Sequence, residues 1–188
     1  MTTLTARAAR DGQRARVYRA EDAWAARLDA ARSGARLAIV AGSAVLLPAE
    51  RRFGTLEGAA SYLARVVALP ATVACWGVLP TPVLRLRAGA AKAHWEPPGA
   101  IAVPVPVHGE PWALRETVLL HELAHHVVHH AVLADPLAGR QIGGGRQIGH
   151  GPGFPAALLA LVVIVLGEEA ALALRVAYGD ERVEVGAL

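Results

Sequence analysis

Only one cysteine, Cys75, is present, so no disulfide can form within the chain. It sits in Val73-Ala74-Cys75-Trp76 with no charged neighbour to make it a thiolate, and is expected to be a small buried hydrophobe and not a nucleophile. No basic region followed by an apolar run and a cleavage site opens the sequence. A membrane span is also missing. The longest apolar run, residues 154–166, is broken by Gly167-Glu168-Glu169 well short of the roughly twenty residues that a bilayer requires. Charge is balanced to within three, with Arg7, Arg10, Arg14, Arg16 and Arg19 gathered early. Such an arginine row is ordinarily a solvated face, and nucleic acid is the less expected partner. These absences leave a cytoplasmic globular chain. At 188 residues and 54% apolar content it is expected to be one domain over 1–188, with 1–13 flexible and a core of useful size.

Against that background one stretch stands out, Val118-Leu119-Leu120-His121-Glu122-Leu123-Ala124-His125-His126-Val127-Val128. The apolar residues cover most of a helix, so a glutamate and histidines among them need a reason. His121 and His125, at i and i+4, project from one helix face a turn apart and can reach the same zinc ion. Glu122 then lies where a carboxylate can take a proton from a zinc-activated water. Pro111, upstream, suits the opening of such a helix.

A catalytic zinc usually has three protein ligands and one open position, so a third ligand is required. The metzincin spacing would put a histidine at position 131 and a glycine at 128, which are Ala131 and Val128, and that class is excluded. His129 stands eight residues from His121, about 12 Å along a helix axis, too far for both to hold one ion. His126 and His130 turn away from the His121 face and read as capping or solvated imidazoles. His150 and the pair Glu168 and Glu169 remain. His150 is the better choice, because it ends a glycine-rich stretch, residues 134–149, just before Pro152 and an apolar helix, and such a loop can carry an imidazole back over the metal. That loop holds a duplication, Gly139-Arg140-Gln141-Ile142-Gly143 and Gly145-Arg146-Gln147-Ile148-Gly149, whose extra length costs little closure entropy.

With its HELAH and HGPGF elements the chain resembles the SprT-like and related minimal zincin metalloproteins, in which the histidine of an HGxxF-type element is the third zinc ligand. Those elements together with residues 10–22 are also similar to an actinobacterial family of HExxH metallohydrolases, over about residues 10–178. The resemblance implies a zinc site at His121, His125 and His150 with Glu122 beside it. It names no substrate. Gly153 stands where SprT-like proteins often carry an acidic residue, so any role of that carboxylate does not transfer.

The rest of the chain supplies the frame. Residues 14–33 read as a helix with Val17, Tyr18, Trp24 and Leu28 inward and Gly34 as its stop. Leu37-Ala38-Ile39-Val40 and Val45-Leu46-Leu47 read as a hairpin turning at residues 41–44. Residues 55–69 form a helix from Thr55 to Pro70 with Leu56, Tyr62, Leu63 and Val66 facing the core. Strands follow at residues 83–87, with one wet face, and near Ala93-His94-Trp95, with a turn at Gly89 between them. Pro104 and Pro106, two apart, remove donors from one side of residues 101–107, which are therefore expected at the edge of the sheet. If that edge lined the cleft, a peptide could not add fully as a strand and a non-peptide carbonyl substrate would gain ground; if it faced solvent, it would only block aggregation. Glu168 and Glu169 open a last helix, to Tyr178.

The expectation is an α+β fold, a single zincin-like domain with a small mixed sheet, an HExxH helix and flanking helices. Its expected function is zinc-dependent hydrolysis of a peptide or other carbonyl substrate, with Glu122 as the general base. A non-catalytic metal-binding module and a nucleic-acid-associated protease of SprT-like type are the alternatives. Tyr178, His94 and His129 are weak candidates to stabilise an oxyanion.

Overall fold

The computed structural model describes residues 12–88, 92–104, 112–134 and 149–187. Among them the chain is mixed α+β, with six α-helices and two small sheets. It divides into two compact units, one made of Met1–Ala49 with Ala131–Leu188 and the other of Glu50–His130. The first eleven residues, the turn at Gly89, Pro106, Pro111 and all but the ends of the 134–149 loop lie outside the described residues.

The first unit is built on α1, Arg14–Arg32, whose buried residues Val17, Ala20, Trp24, Leu28 and Ala31 recur at helical spacing and make one inward stripe. Gly34, with φ of 106°, supplies the left-handed residue that ends it. The hairpin follows as β1, Leu37–Val40, and β2, Ser43–Leu46, with Leu37 opposite Leu46 and Val40 opposite Ser43. Its turn is only Ala41-Gly42. Both have positive φ, 48° and 80°, as a tight turn matched to strand twist requires. Ser43 and Ala44, expected in the turn, are paired strand residues instead.

Two further helices, which we number α5, Gly153–Leu166, and α6, Glu168–Asp180, complete this unit. Packing is dense: Phe154, Ala157, Leu158, Leu161 and Val162 are essentially inaccessible. Trp24 donates its indole N–H to the Ala170 carbonyl at 3.0 Å, so the indole is buried without an orphaned donor.

In the second unit α2 spans Leu56–Val67, and the Thr55 hydroxyl accepts from the Gly58 N–H at 3.0 Å as an N-cap. Tyr62, Leu63 and Val66 are buried, joined by Ala59 and Val67. Pro70 does not simply stop the helix. It opens another, α3, Pro70–Trp76, at the first-turn position where the missing N–H has no intrahelical partner to lose. Cys75 is exposed, not buried: α3 is short and turns only Thr72 fully inward. No single helix among the described residues is long and apolar enough to cross a membrane; α2 and α3 meet that length and composition only when joined across a 61° bend.

The sheet of this unit contains β3, Val83–Arg87, β4, His94–Glu96, and β5, Ala100–Pro104, in the order β3-β5-β4. The proline-bearing strand is thus central, and the expectation that it forms an edge is overturned. The register explains why. The antiparallel ladder with β4 ends where His94 meets Ala102, while the parallel ladder with β3 continues to Arg87 opposite Pro104. Pro104 therefore enters only after β4 has ended, where its missing donor breaks no bond to that strand. The two edges are β3 and β4. On β3 only Leu84 is buried, and Val83 and Leu86 are exposed together with the arginines.

The HExxH segment lies on α4, Glu116–Ala134, as expected, preceded by a 3₁₀ turn at Trp112–Leu114.

Candidate metal centre

Two buried carboxylates hold the start of α4. Glu50 accepts from Arg115 through Nε at 2.9 Å and Nη2 at 2.7 Å, from the Thr117 N–H at 3.2 Å, and from the Thr117 hydroxyl. Glu116 accepts in turn from the Arg51 N–H at 3.0 Å, from the Arg51 guanidinium and from the Tyr62 hydroxyl at 2.8 Å. Glu50-Arg51 and Arg115-Glu116 are therefore strapped crosswise, and the Glu116 N–H donates to the Arg51 carbonyl at 3.0 Å. The Glu50 carboxylate satisfies one orphan donor of the first turn, the Thr117 N–H, and opposes the positive end of the helix dipole. Burial and the adjacent Glu116 carboxylate push the Tyr62 phenol far above its ordinary range, so Tyr62 is a permanent donor here.

One face of α4 is fixed to the sheet side of its own unit. His126 is completely inaccessible, not solvated. Its Nε2 lies 2.8 Å from the Pro80 carbonyl, and the Trp95 indole N–H donates to its Nδ1 at 3.3 Å. These partners define the neutral tautomer with the proton on Nε2, and burial pushes its pKa down to about 4. Gly99 passes close by, where a Cβ would come within 3.2 Å of the His126 ring. His130 reaches the Pro98 carbonyl at 3.1 Å, and His129 lies against the Trp95 ring with centroids 4.8 Å apart. Neither ring caps a helix: both engage carbonyls outside any helix, and the reading of His126 as a capping or solvated imidazole is corrected.

His121 and His125 project a turn apart as their spacing requires, with ring centroids 5.1 Å apart. His121 is 5% exposed and Glu122 only 3%. In the other unit His150 stands just before α5 and is also 5% exposed. Its ring is flanked by Tyr18 of α1, centroids 5.1 Å apart, and by Phe154 of α5, 4.8 Å apart. Its carbonyl accepts from the Gln13 side-chain amide at 2.7 Å.

Each of His121, His125 and His150 offers one nitrogen, and these atoms lie within 4.8 Å of one another. Three neutral imidazole donors fit a borderline divalent ion of the zinc type. Nitrogens around a tetrahedral zinc with bonds of about 2.0–2.1 Å are spaced by roughly 3.4 Å, which lies inside that 4.8 Å limit. Glu168 and Glu169 are exposed on the first turn of α6 and do not belong to this group.

The oxyanion candidates fare differently. The Tyr178 hydroxyl is committed to Glu21 at 3.1 Å and its ring is buried, so burial raises its pKa and it has no free donor for a substrate. His94 belongs to a surface network with Glu96 and Arg87, in which hydrogen bonds from Arg85 hold the Glu96 carboxyl below its usual range. Sequence reasoning missed Gln13, Glu50 and Glu116, polar residues whose side-chain partners lie 54 or more positions away. Gln13 entered only as part of residues 10–22, among those that carry the resemblance.

No protein-family model, curated protein or solved structure matches the chain. The functional reading rests on the residues themselves.

Proposed function

We propose that the chain is a zinc-dependent hydrolase of zincin-like type, a metallopeptidase or a hydrolase of another carbonyl substrate, acting in the cytoplasm. The observation that carries this reading is the approach of three imidazole nitrogens to within 4.8 Å, two from an HExxH helix and one from the HGPGF element, with the HExxH glutamate buried. Zinc held by His121, His125 and His150 would supply a Lewis acid that polarises a carbonyl and acidifies a water. Glu122, next to the first ligand on the same helix, accepts a proton from the attacking water on a carboxylate oxygen and returns it to the leaving group. His121, Glu122 and His150 are each nearly inaccessible, and charge interactions of buried groups are stronger than those in water.

The nucleic-acid alternative draws no support from Arg16 and Arg19 of the early arginine row. Arg16 donates to the Arg182 carbonyl and Arg19 pairs with Glu181, both within their own unit.

Metal analysis of the wild type beside His150→Ala and Glu122→Gln, followed by a peptide-library digest, tests the proposal. Wild type and Glu122→Gln should each carry one zinc and His150→Ala should bind it orders of magnitude more weakly. Only the wild type should cleave. Zinc lost from a folded Glu122→Gln would make Glu122 a ligand and remove the base. A wild type that carries zinc but cleaves nothing in the library or among small esters and amides would favour the non-catalytic module.

A further inference from the structure

The side chain that holds His150 also holds the segment that follows α6. Gln13 is 7% exposed and spends both ends of its amide inside its own unit. Nε2 donates to the His150 carbonyl at 2.7 Å and to the Glu184 carbonyl at 3.2 Å, while Oε1 accepts the Glu184 N–H at 2.9 Å. The segment is guided there in two steps. The Val183 N–H closes on the Tyr178 carbonyl at 2.9 Å, and Arg182 takes a left-handed conformation with φ of 53° that turns the chain out of α6. Two residues past Glu184, the Gly186 N–H donates to the Pro152 carbonyl at 2.8 Å. Space is tight at that point: a Cβ on Gly186 would meet the Pro152 carbonyl carbon and oxygen at 3.2 Å, so a side chain there must push Pro152 away. The carbonyls of residues 150 and 152 are thus engaged from outside the turn, one by Gln13 and one by Gly186, while the Gly151 carbonyl between them accepts the Phe154 N–H at 2.9 Å.

We infer that Gln13 and residues 183–187 form a strap that positions His150 for the metal, making Gln13 a positioning residue for the third ligand. This rests on the zinc reading above. The physical case is one of preorganisation. Tyr18 and Phe154 flank the imidazole ring. They do not fix the backbone from which it projects, and a short turn bearing glycines at 149, 151 and 153 would otherwise sample many conformations. Hydrogen bonds behind a ligand of this kind typically govern ten- to a hundredfold of metal affinity.

The experiment uses the full chain with Gln13→Glu, Gly186→Val and, as a control, Arg19→Ala, whose contact with Glu181 is exposed. Gln13→Glu keeps an acceptor for Glu184 but replaces the donor to His150 by a charge that repels its carbonyl. Zinc affinity is measured by chelator competition. Cobalt(II) spectra report the ligand set, and amide hydrogen exchange over residues 149–154 is followed in the metal-free protein. Both strap variants should bind zinc about ten- to a hundredfold more weakly. Their cobalt spectra should move toward that of His150→Ala, and exchange should speed over 149–154 before any other segment. Arg19→Ala should match the wild type. One zinc in the wild type with affinities unchanged in both strap variants would overturn the strap and leave the three-histidine site standing. A wild type without zinc would overturn both. If Gln13→Glu does not fold, Gln13→Met, of similar length and without either amide function, takes its place.

Discussion

His126 offers the sharpest quantitative test of how α4 is held, because its two ring nitrogens have separate partners. Leucine has a similar volume and neither partner function, so His126→Leu strands the Pro80 carbonyl and the buried Trp95 N–H. Each stranded group costs about 1–3 kcal/mol. The bond from Trp95 is long at 3.3 Å and belongs at the low end of that range, whereas the 2.8 Å bond to Pro80 belongs nearer the middle. The expected total is about 3 kcal/mol, equivalent to a melting-point loss of roughly 6–12 °C for a chain of this size. Two partial replacements separate the terms. Gln can place its amide near the Nε2 position and keep Pro80; Asn can place its oxygen near Nδ1 and keep only Trp95. Urea unfolding at pH 7.5 should therefore rank the wild type first, then His126→Gln, His126→Asn and His126→Leu. A His126→Leu protein within about 1 kcal/mol of the wild type, or an Asn variant more stable than the Gln variant, would refute the reasoning.

Glu50→Ala should cost about 3 kcal/mol by urea unfolding, since it strands the Thr117 N–H and part of the Arg115 guanidinium; the side chain of Arg115 is 23% exposed, which keeps the cost at the lower end for a broken buried pair. Glu50→Gln, which retains acceptors but no charge, should recover about half. Gly99→Ala should lose roughly 1–2 kcal/mol by overpacking against His126, and the loss should shrink in a His126→Ala background, where the ring is gone. Burial and the neighbouring His130 hold the His129 pKa below its ordinary 6.5. The unfolded chain then takes up that proton first, so this contribution is intact above about pH 6.5 and declines as pH falls through the folded value. Ring NMR of metal-free protein should show His129 titrating below 6.5, and His129→Gln should flatten the acid side of the stability curve. A His129 midpoint at or above 6.5 would contradict this.

Much of this molecule was readable from local signals. Helical spacing of Val17, Trp24 and Leu28, the Thr55 cap and the i, i+4 histidines depend on neighbours in sequence, and the structure has each of those elements where periodicity puts it. The failures share another property. Pro104 read as an edge marker because a missing donor shows in sequence, but the length of the strand beside it does not: β4 stops at the residue opposite Ala102, two residues short of the proline. Pro70 read as a stop when it begins a helix, since a fixed φ serves either use. Cys75 was judged by the company of its neighbours, whereas its exposure follows from the short helix that carries it. At the candidate centre, spacing singles out His121 and His125 and a glycine-flanked position singles out His150. The supports, Gln13 at 137 residues from His150 and Glu50 at 65 from Arg115, leave no periodic trace.

The crosswise strap at the start of α4 also sets an order of events. Bringing Glu50-Arg51 to Arg115-Glu116 closes a loop of 65 residues, an entropy cost of about 4 kcal/mol on the logarithmic rule. None of the donors at that helix end finds its carboxylate until the loop has closed. The first turn of α4 is therefore secured only once that loop has closed. Opening runs in reverse: release of residues 50–53 frays the helix from Glu116 toward His121. Slow exchange at the amides of Thr117 and Glu116 would then report the closure of the whole 50–116 loop, and would be lost together with it.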